Sequence, residues 1–401
     1  MKTLQLLALI VTMCASLTAR AASFERLYQF AGLDGMAPQG LTAGPNGVLY
    51  GTTAYGGAYN YGTVFELQPP SVAGGNWTET ILYSFTGING DGISPFAAPV
   101  LGPTGALYGT TAYSGTYFLG TVFELSPPSV PGGPWAETVI SGLNGYRGVV
   151  LGNGGELYGV NPQGGLYTYG FVYELSPPVT AGGAWTSSTL YNFPSQSTTA
   201  ALTITPNGVL YGETTFGGGS GAGTIFELIP PASTGGAWTE RLLYTFTGGA
   251  DGDAPLQPPV MASDGALYGT TSAGGSSGSG VVFRLAPGPN GPNGKWVETV
   301  LYSFESTNDG KTPDSPLIVR NGKIYGTTTA GTGAGNSGGT VFELTRPAES
   351  GAAWTETILH GFSDTAGPYG NLVMDNRGVI YGATTSGPGP QGAGVIYRIL
   401  P

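Results

Sequence analysis

A Leu/Ile-Tyr-Gly block recurs seven times along the chain, with tyrosines at Tyr50, Tyr108, Tyr158, Tyr211, Tyr268, Tyr325 and Tyr381, spaced 58, 50, 53, 57, 57 and 56 residues apart. Self-similarity at a near-constant period means one supersecondary unit used many times, so it constrains the fold more than any single residue does. The period is too long for a leucine-rich or hexapeptide solenoid and has room for four short strands with their loops. Blade two shows the first three, and blade one the fourth. Strand A is Pro99-Val100-Leu101, strand B runs from Ala106 to Thr111, and strand C is Gly120-Thr121-Val122-Phe123-Glu124-Leu125. Strand D is the Trp77 to Phe85 type. β-Branched and aromatic residues dominate these runs, no helical period is present, and Gly/Pro/Asn turns such as Gly44 to Gly47 and Thr205 to Gly208 punctuate them.

The two ends predict how the units are arranged. Arg26-Leu27-Tyr28-Gln29-Phe30 is a strand D with no A, B or C before it, and Gly394 to Leu400 is a strand C with no D after it. Six Trp-led D strands begin at Trp77, Trp135, Trp185, Trp238, Trp296 and Trp354, so the N-terminal segment is the missing seventh. A seven-bladed, all-β propeller of four-stranded blades, closed by the N-terminal strand pairing into the last blade, accounts for both orphan strands and leaves no exposed edge. An open β-solenoid is the alternative.

Glycine and proline number 72 and 31 of 401 residues, a composition that often signals disorder, but 40% of the residues are hydrophobic and cluster in short blocks such as Thr63-Val64-Phe65-Glu66-Leu67. The glycines therefore read as turns between strands. Residues 1–22 differ from the rest: Lys2, an apolar run from Leu4 to Met13 and Ala19-Arg20-Ala21 form a Sec-type signal peptide, too short in its apolar part to span a bilayer. Its removal leaves one propeller domain, residues 23–401, exported to the periplasm or beyond the cell. It also removes the only cysteine, Cys14, and with it any disulfide, thiolate nucleophile or cysteine metal site. Without Lys2 and Arg20, 11 basic residues face 24 acidic ones, a net charge of 11 − 24 = −13. Nucleic acid is a poor partner for such a chain, membrane insertion is not expected, and a monomer is.

The block Gly-x-Leu-Tyr-Gly-Thr-Thr, then Gly-Gly, then Gly-Thr-Val-Phe-Glu-Leu, resembles the GloVer repeat, the Gloeo/Verruco tandem repeat of exported bacterial proteins. The resemblance covers nearly all of residues 23–401. It implies a propeller-type fold and export, and it brings no catalytic residue with it.

Catalytic motifs are sparse. His360, the sole histidine, stands where other D strands carry tyrosine, as at Tyr83 and Tyr302, which reads as a strand substitution and leaves neither a Ser-His-Asp triad nor a histidine zinc site. Gly274-Gly275-Ser276-Ser277-Gly278 matches G-x-S-x-G only in letters, because it lies in a loop with no helix after it. Ten glutamates recur at fixed places: Glu66, Glu124, Glu174, Glu227 and Glu343 in strand C, and Glu79, Glu137, Glu240, Glu298 and Glu356 in strand D. A carboxylate copied into blade after blade reads as a solvated strand face, with Arg284 and Arg398 as replacements in strand C.

Residues that break the repeat carry more information. The B–C and D–A connections of a propeller share one face, and three sets of residues fall there. The D–A loops hold Asp34, Asp91, Asp251, Asp253 and Asp309, mostly in Asp-Gly turns. Asp91, Asp251, Asp253 and Asp309 are the candidates for calcium, the only cofactor considered, although one such turn supplies too few oxygens. The B–C loops of the first three blades carry Tyr55, Tyr59, Tyr61, Tyr113, Tyr117, Phe118, Tyr167 and Tyr169, flat faces that suit stacking on sugar rings, or packing on one another. The starts of strand A align as a ring of Gln39, Ala97, Arg147, Ala200, Gln257, Asp314 and Gly370, of which Gln39, Arg147, Gln257 and Asp314 are polar and are expected at the channel mouth. Glu213 replaces the Thr that follows Tyr-Gly in four other blades, and with Arg147, Asp314 and Tyr146 it completes the candidate catalytic set.

These residues point to a non-catalytic binding module for a glycan or other extracellular ligand. The alternatives are a polysaccharide lyase or hydrolase using carboxylate, arginine and tyrosine, and a protein-interaction scaffold. Fold alone selects none of them.

Overall fold

The computed structural model describes residues 22–114, 120–143, 147–180, 182–195, 201–233, 235–289, 291, 294–305, 309–332, 338–349, 351–362, 367–387 and 392–400. Seven antiparallel sheets are arranged as a seven-bladed propeller. In the first blade the order outward from the channel is A (Met36–Ala43), B (Leu49–Tyr55), C (Thr63–Gln68) and D (Thr78–Ser84). The other blades repeat it, and the seventh is completed by Ser23–Gln29, which pairs antiparallel with Val395–Leu400 from Ser23↔Leu400 to Gln29↔Val395. The N-terminal strand thus closes the ring. A second tie crosses the same seam at the inner strands, where the Asn371 amide donates to Leu41 O (2.8 Å) and accepts from Leu41 N (3.0 Å).

The Tyr-Gly block now has a steric cause. In every blade its glycine lies opposite the aromatic residue of strand C, from Gly51↔Phe65 through Gly159↔Tyr173 to Gly382↔Tyr397. A methyl group on Gly51 would sit 2.3 Å from the Phe65 ring, and one on Gly109 would sit 2.4 Å from that of Phe123. The ring lies flat over bare backbone, and only glycine leaves room for it.

The C–D pairing slips by one residue at the same place in every blade, as between Val64 and Phe65. The bulge turns the D-strand leucine inward: Leu82, Leu243 and Leu301 join the clusters between blades, while their neighbours Ile81 and Leu242 face out. Adjacent blades meet through T-shaped aromatic pairs one residue past each D strand, such as Phe30–Phe65, Phe85–Phe123, Phe246–Phe283 and Phe304–Phe342, with centroids 5.2–5.3 Å apart. Blade two carries Leu143 at this position, packed in the cluster that holds Tyr173.

Candidate functional site

The face that carries the B–C and D–A loops is set by backbone hydrogen bonds between them: Phe85 N donates to Gly62 O, Phe246 N to Gly223 O and Phe304 N to Gly280 O. At its centre the channel opens into a cavity of about 290 Å³. Gln39, Ala97, Arg147, Gln257, Asp314 and Gly370 all line it, and the seventh aligned position, Ala200, lies outside the described residues. The alignment of strand A therefore brings the polar set together in space.

Asp314 reaches the channel because blade six breaks its inner strand. Lys311–Pro313 and Ile318–Arg320 each pair with Lys323–Thr332, and Asp314-Ser315-Pro316 fills the gap between them. Prolines cannot donate to a ladder, which explains the break. Ser315 then takes the place of the backbone by accepting from Thr327 N at 2.9 Å. The Asp314 carboxylate accepts from the Gln257 amide at 2.8 Å. Burial raises its pKa above the ordinary aspartate value, and the Gln257 bond and the Arg147 charge pull it back.

Among the members of the cavity that alignment missed are Phe96, Tyr369 and Asn371, each one residue from an aligned position. Gly370 has φ +74°, and a methyl group there would lie 2.1 Å from Gln39 O, so the chain takes a left-handed step there. The Tyr-Gly-Asn run at the start of blade seven was the available signal. Burial, followed by the Asp314 charge, raises the pKa of Tyr369, so its phenol stays protonated at neutral pH.

Glu213 does not join Arg147 and Asp314. It is fully buried on Leu210–Thr214, opposite Ile225, and is not among the cavity's lining residues. Tyr146 lies outside the described residues. Of the catalytic set, the structure brings together only Arg147 and Asp314.

The tyrosine set lies away from the channel. Tyr55, Tyr59, Tyr61, Tyr113, Tyr167 and Tyr169 are 38–56% exposed, and none lines the central cavity. Tyr59 instead walls a cavity of about 490 Å³ with Leu33, Met36 and Asn60, over the seam between the last and first blades. Tyr113 sits on a short two-stranded ribbon, Gly92–Ile93 with Tyr113–Ser114. Tyr117 and Phe118 lie outside the described residues.

The aspartates of the D–A loops act as acceptors inside their own turns. Asp91 accepts from Tyr83 OH (3.1 Å), Thr86 N (2.6 Å) and Thr86 OH (2.7 Å); Asp251 accepts from Tyr244 OH (3.0 Å) and Thr247 N (2.8 Å). Asp309 accepts from Tyr302 OH (3.0 Å) and Glu305 N (2.8 Å). Asp253 bridges to Ala273 through its backbone. Among the described residues no group of three or more His, Cys, Asp or Glu side chains is placed to hold a metal ion.

The recurrent glutamates are not a solvated face. Those of strand D point into the junction with the preceding blade and are half-buried, with Glu79, Glu137, Glu298 and Glu356 each pushed up to about pKa 7 by burial and by the nearby Asp34, Asp91, Asp251 and Asp309 respectively. Those of strand C sit opposite the strand B tyrosine, as in Tyr50↔Glu66, and two are buried and ion-paired: Glu227 with Arg241, and Glu343 with Lys323 at 2.7 Å. Where arginine replaces them, an acid moves opposite: Arg284 pairs with Asp264 at 2.9 Å and Arg398 with Glu25 at 2.7 Å.

A model of the Gloeobacter/Verrucomicrobia repeat matches residues 13–139 and 233–401. The chain belongs to that family. The unmatched stretch, 140–232, holds Arg147, Glu213 and the departures around blades three and four, so this Gloeobacter/Verrucomicrobia repeat protein is least typical where its face is least regular. No curated protein matches the chain. Among solved structures it is similar to a streptogramin B lyase (TM-score 0.57, 15% identity, 94% of this chain and 97% of that one). It is also similar to an ancestral GH74 enzyme (TM-score 0.51, 14% identity, 91% of this chain and 48% of that one). At these identities the likeness is one of fold. No helix among the described residues is long and apolar enough to cross a membrane.

Proposed function

We propose that this protein is an exported, non-catalytic recognition module that holds a glycan on the face carrying its B–C and D–A loops. The observation behind this reading is the group of six tyrosines from blades one to three, each 38–56% exposed on that face. A phenol ring that is half open offers a flat apolar surface with a hydrogen-bonding edge and only two torsions to fix, which suits a sugar ring. The leader-like residues 1–22 support export. The channel mouth adds a second, polar contact zone through Arg147, Gln257 and Asp314.

Hydrolysis of a glycosidic bond needs two carboxyl groups across the bond, and the cavity is lined by one, Asp314. With its pKa raised, the Tyr369 phenol stays protonated at neutral pH and offers no free phenolate to abstract a proton, which also disfavours lyase chemistry there. A microarray of glycans probed with residues 23–401, in calcium and then in EDTA, tests the proposal. Selective binding that is lost in Tyr59→Ala and Tyr167→Ala, with no new reducing ends or unsaturated uronate, supports it. Loss in EDTA would assign calcium to the aspartate loops. A blank array overturns the glycan reading and makes a protein partner the leading one.

A further inference from the structure

Four blade junctions are closed by the same three side chains: a D-strand tyrosine, a D–A loop aspartate and a glutamate from the D strand of the next blade. Tyr28, Tyr83, Tyr244 and Tyr302 donate to Asp34, Asp91, Asp251 and Asp309 at 2.7–3.1 Å. The residue after the conserved phenylalanine donates its N–H to the same aspartate, from Ala31, Thr86, Thr247 and Glu305. Each partner glutamate, Glu79, Glu137, Glu298 and Glu356, keeps one buried carboxyl oxygen that has no hydrogen-bond partner.

The junction between blades three and four keeps two of these parts and loses the third. Pro194 stands where the others have the N–H donor, and residues 194–201 contain no acid. Tyr191 and Glu240 remain, and neither side chain hydrogen-bonds to another described residue. A cavity of about 240 Å³ opens there, lined by Tyr191, Pro194, Phe216, Glu240 and Leu242, with Phe193 among its walls. Phe216 is 54% exposed and Leu242 51%, and Glu240 is the only charged residue of the lining among the described residues.

Where the glutamates of the closed junctions face an aspartate, Glu240 lines an open, apolar-walled cleft with no acid beside it, and a carboxylate so placed is best met by a cation that donates. The volume falls below the roughly 300 Å³ at which sites for drug-sized ligands begin, so a single ring fits it better than a chain. An aliphatic ring with an ammonium substituent meets each requirement: the ammonium on Glu240, a hydroxyl on Tyr191 and the C–H face on Phe216.

We propose that the cleft between blades three and four is a subsite for an amino sugar, held by an ion pair to Glu240 and by stacking on Phe216. The proposal rests on the glycan reading for the kind of ligand, but on different residues. Saturation-transfer NMR on residues 23–401 with glucosamine, glucose and N-acetylglucosamine at near-neutral pH tests it. Glucosamine is expected to bind, with glucose and N-acetylglucosamine much weaker. Glu240→Gln and Phe216→Ala are each expected to weaken it about tenfold or more, as loss of a charge-assisted bond does, while Tyr59→Ala leaves it unchanged. Phe216 is exposed, so its variant keeps the fold, and a thermal melt verifies this. No transfer from glucosamine, equal transfer from glucose, or transfer insensitive to both substitutions overturns the subsite. A blank glycan array with glucosamine binding intact overturns only the tyrosine-face reading.

Discussion

Replacing Glu79, Glu137, Glu298 and Glu356 together by glutamine should stabilise the propeller above neutral pH and flatten its response to pH. Each carboxyl is pushed up to about 7 in the folded ring from an ordinary glutamate value of 4.5, and burial is the larger cause in all four. Below the unfolded value both states hold the proton and nothing is lost. As pH rises from there the unfolded chain releases its proton first, so stability falls across the window from 4.5 to about 7 and stays low above it. A shift of this size is worth roughly 3 kcal/mol per site at most. The groups are only half-buried, and solvent screening brings this to ~1 kcal/mol each, or ~4 kcal/mol for the four. With an unfolding entropy near 2 cal/mol/K per residue, that is a rise in Tm of roughly 5 °C at alkaline pH. Circular-dichroism melts of the native and quadruple-glutamine proteins at pH values on either side of the window are the assay. Native protein should melt lower on the alkaline side, and the variant should close most of that gap. Equal melting of the two proteins at alkaline pH would refute the assignment of these carboxyls as the cause.

Gly109→Ala should cost about 2–3 kcal/mol by overpacking, because its methyl group meets the Phe123 ring at 2.4 Å; a denaturant titration that shows less than half of this would mean the ring can move aside. Asp251→Ala should cost ~2 kcal/mol by leaving Tyr244 OH and Thr247 N without their acceptor, and because the Asp251 pKa is lowered in the folded state, that contribution should vanish as pH falls through the acid range. His360 stacks on Phe24 of the closing strand (3.8 Å, 10°), and burial, then Arg26, lowers its pKa, so protonation should weaken ring closure as pH falls below the ordinary histidine value. Protection factors of the Ser23–Gln29 amides, with intrinsic exchange rates divided out, should therefore fall at mildly acid pH in native protein and not in His360→Tyr.

The architecture was legible because each of its signals recurs. A Tyr-Gly pair, a Trp-led strand and two unmatched ends carry seven-fold evidence for one unit and for its closure, and the pairing of Ser23 with Leu400 follows from them. The channel-mouth ring was legible for the same reason, since aligning strand A aligns space. The glutamates were misread because alternation along a strand says which residues share a side, not what that side meets. In strand D it meets the preceding blade, as the packing of Trp135, two residues before Glu137, against Leu82 and Tyr83 of blade one shows. Glu213 was misgrouped with Arg147 and Asp314 because a departure from the repeat says nothing of direction, and this one lies fully buried on strand B.

Departures from the repeat are informative in sets. At the junction of blades two and three, Ser141 replaces the tyrosine, Leu143 the phenylalanine and Ser187 the glutamate, so three side chains of one contact change together. The junction of blades six and seven does the same with His360 and Phe24, which stack where other junctions set a tyrosine beside a glutamate. A buried polar atom that loses its partner costs more than a pair removed together, so complete exchanges are what structure alone would produce. The junction of blades three and four is different: Asp and its N–H donor are gone, while Tyr191 and Glu240 stay behind with an exposed Phe216 beside them. Packing gives no reason to keep that tyrosine and carboxylate in a half-dismantled junction. An occupant of the cleft that pairs with both, beside the exposed Phe216, does give one.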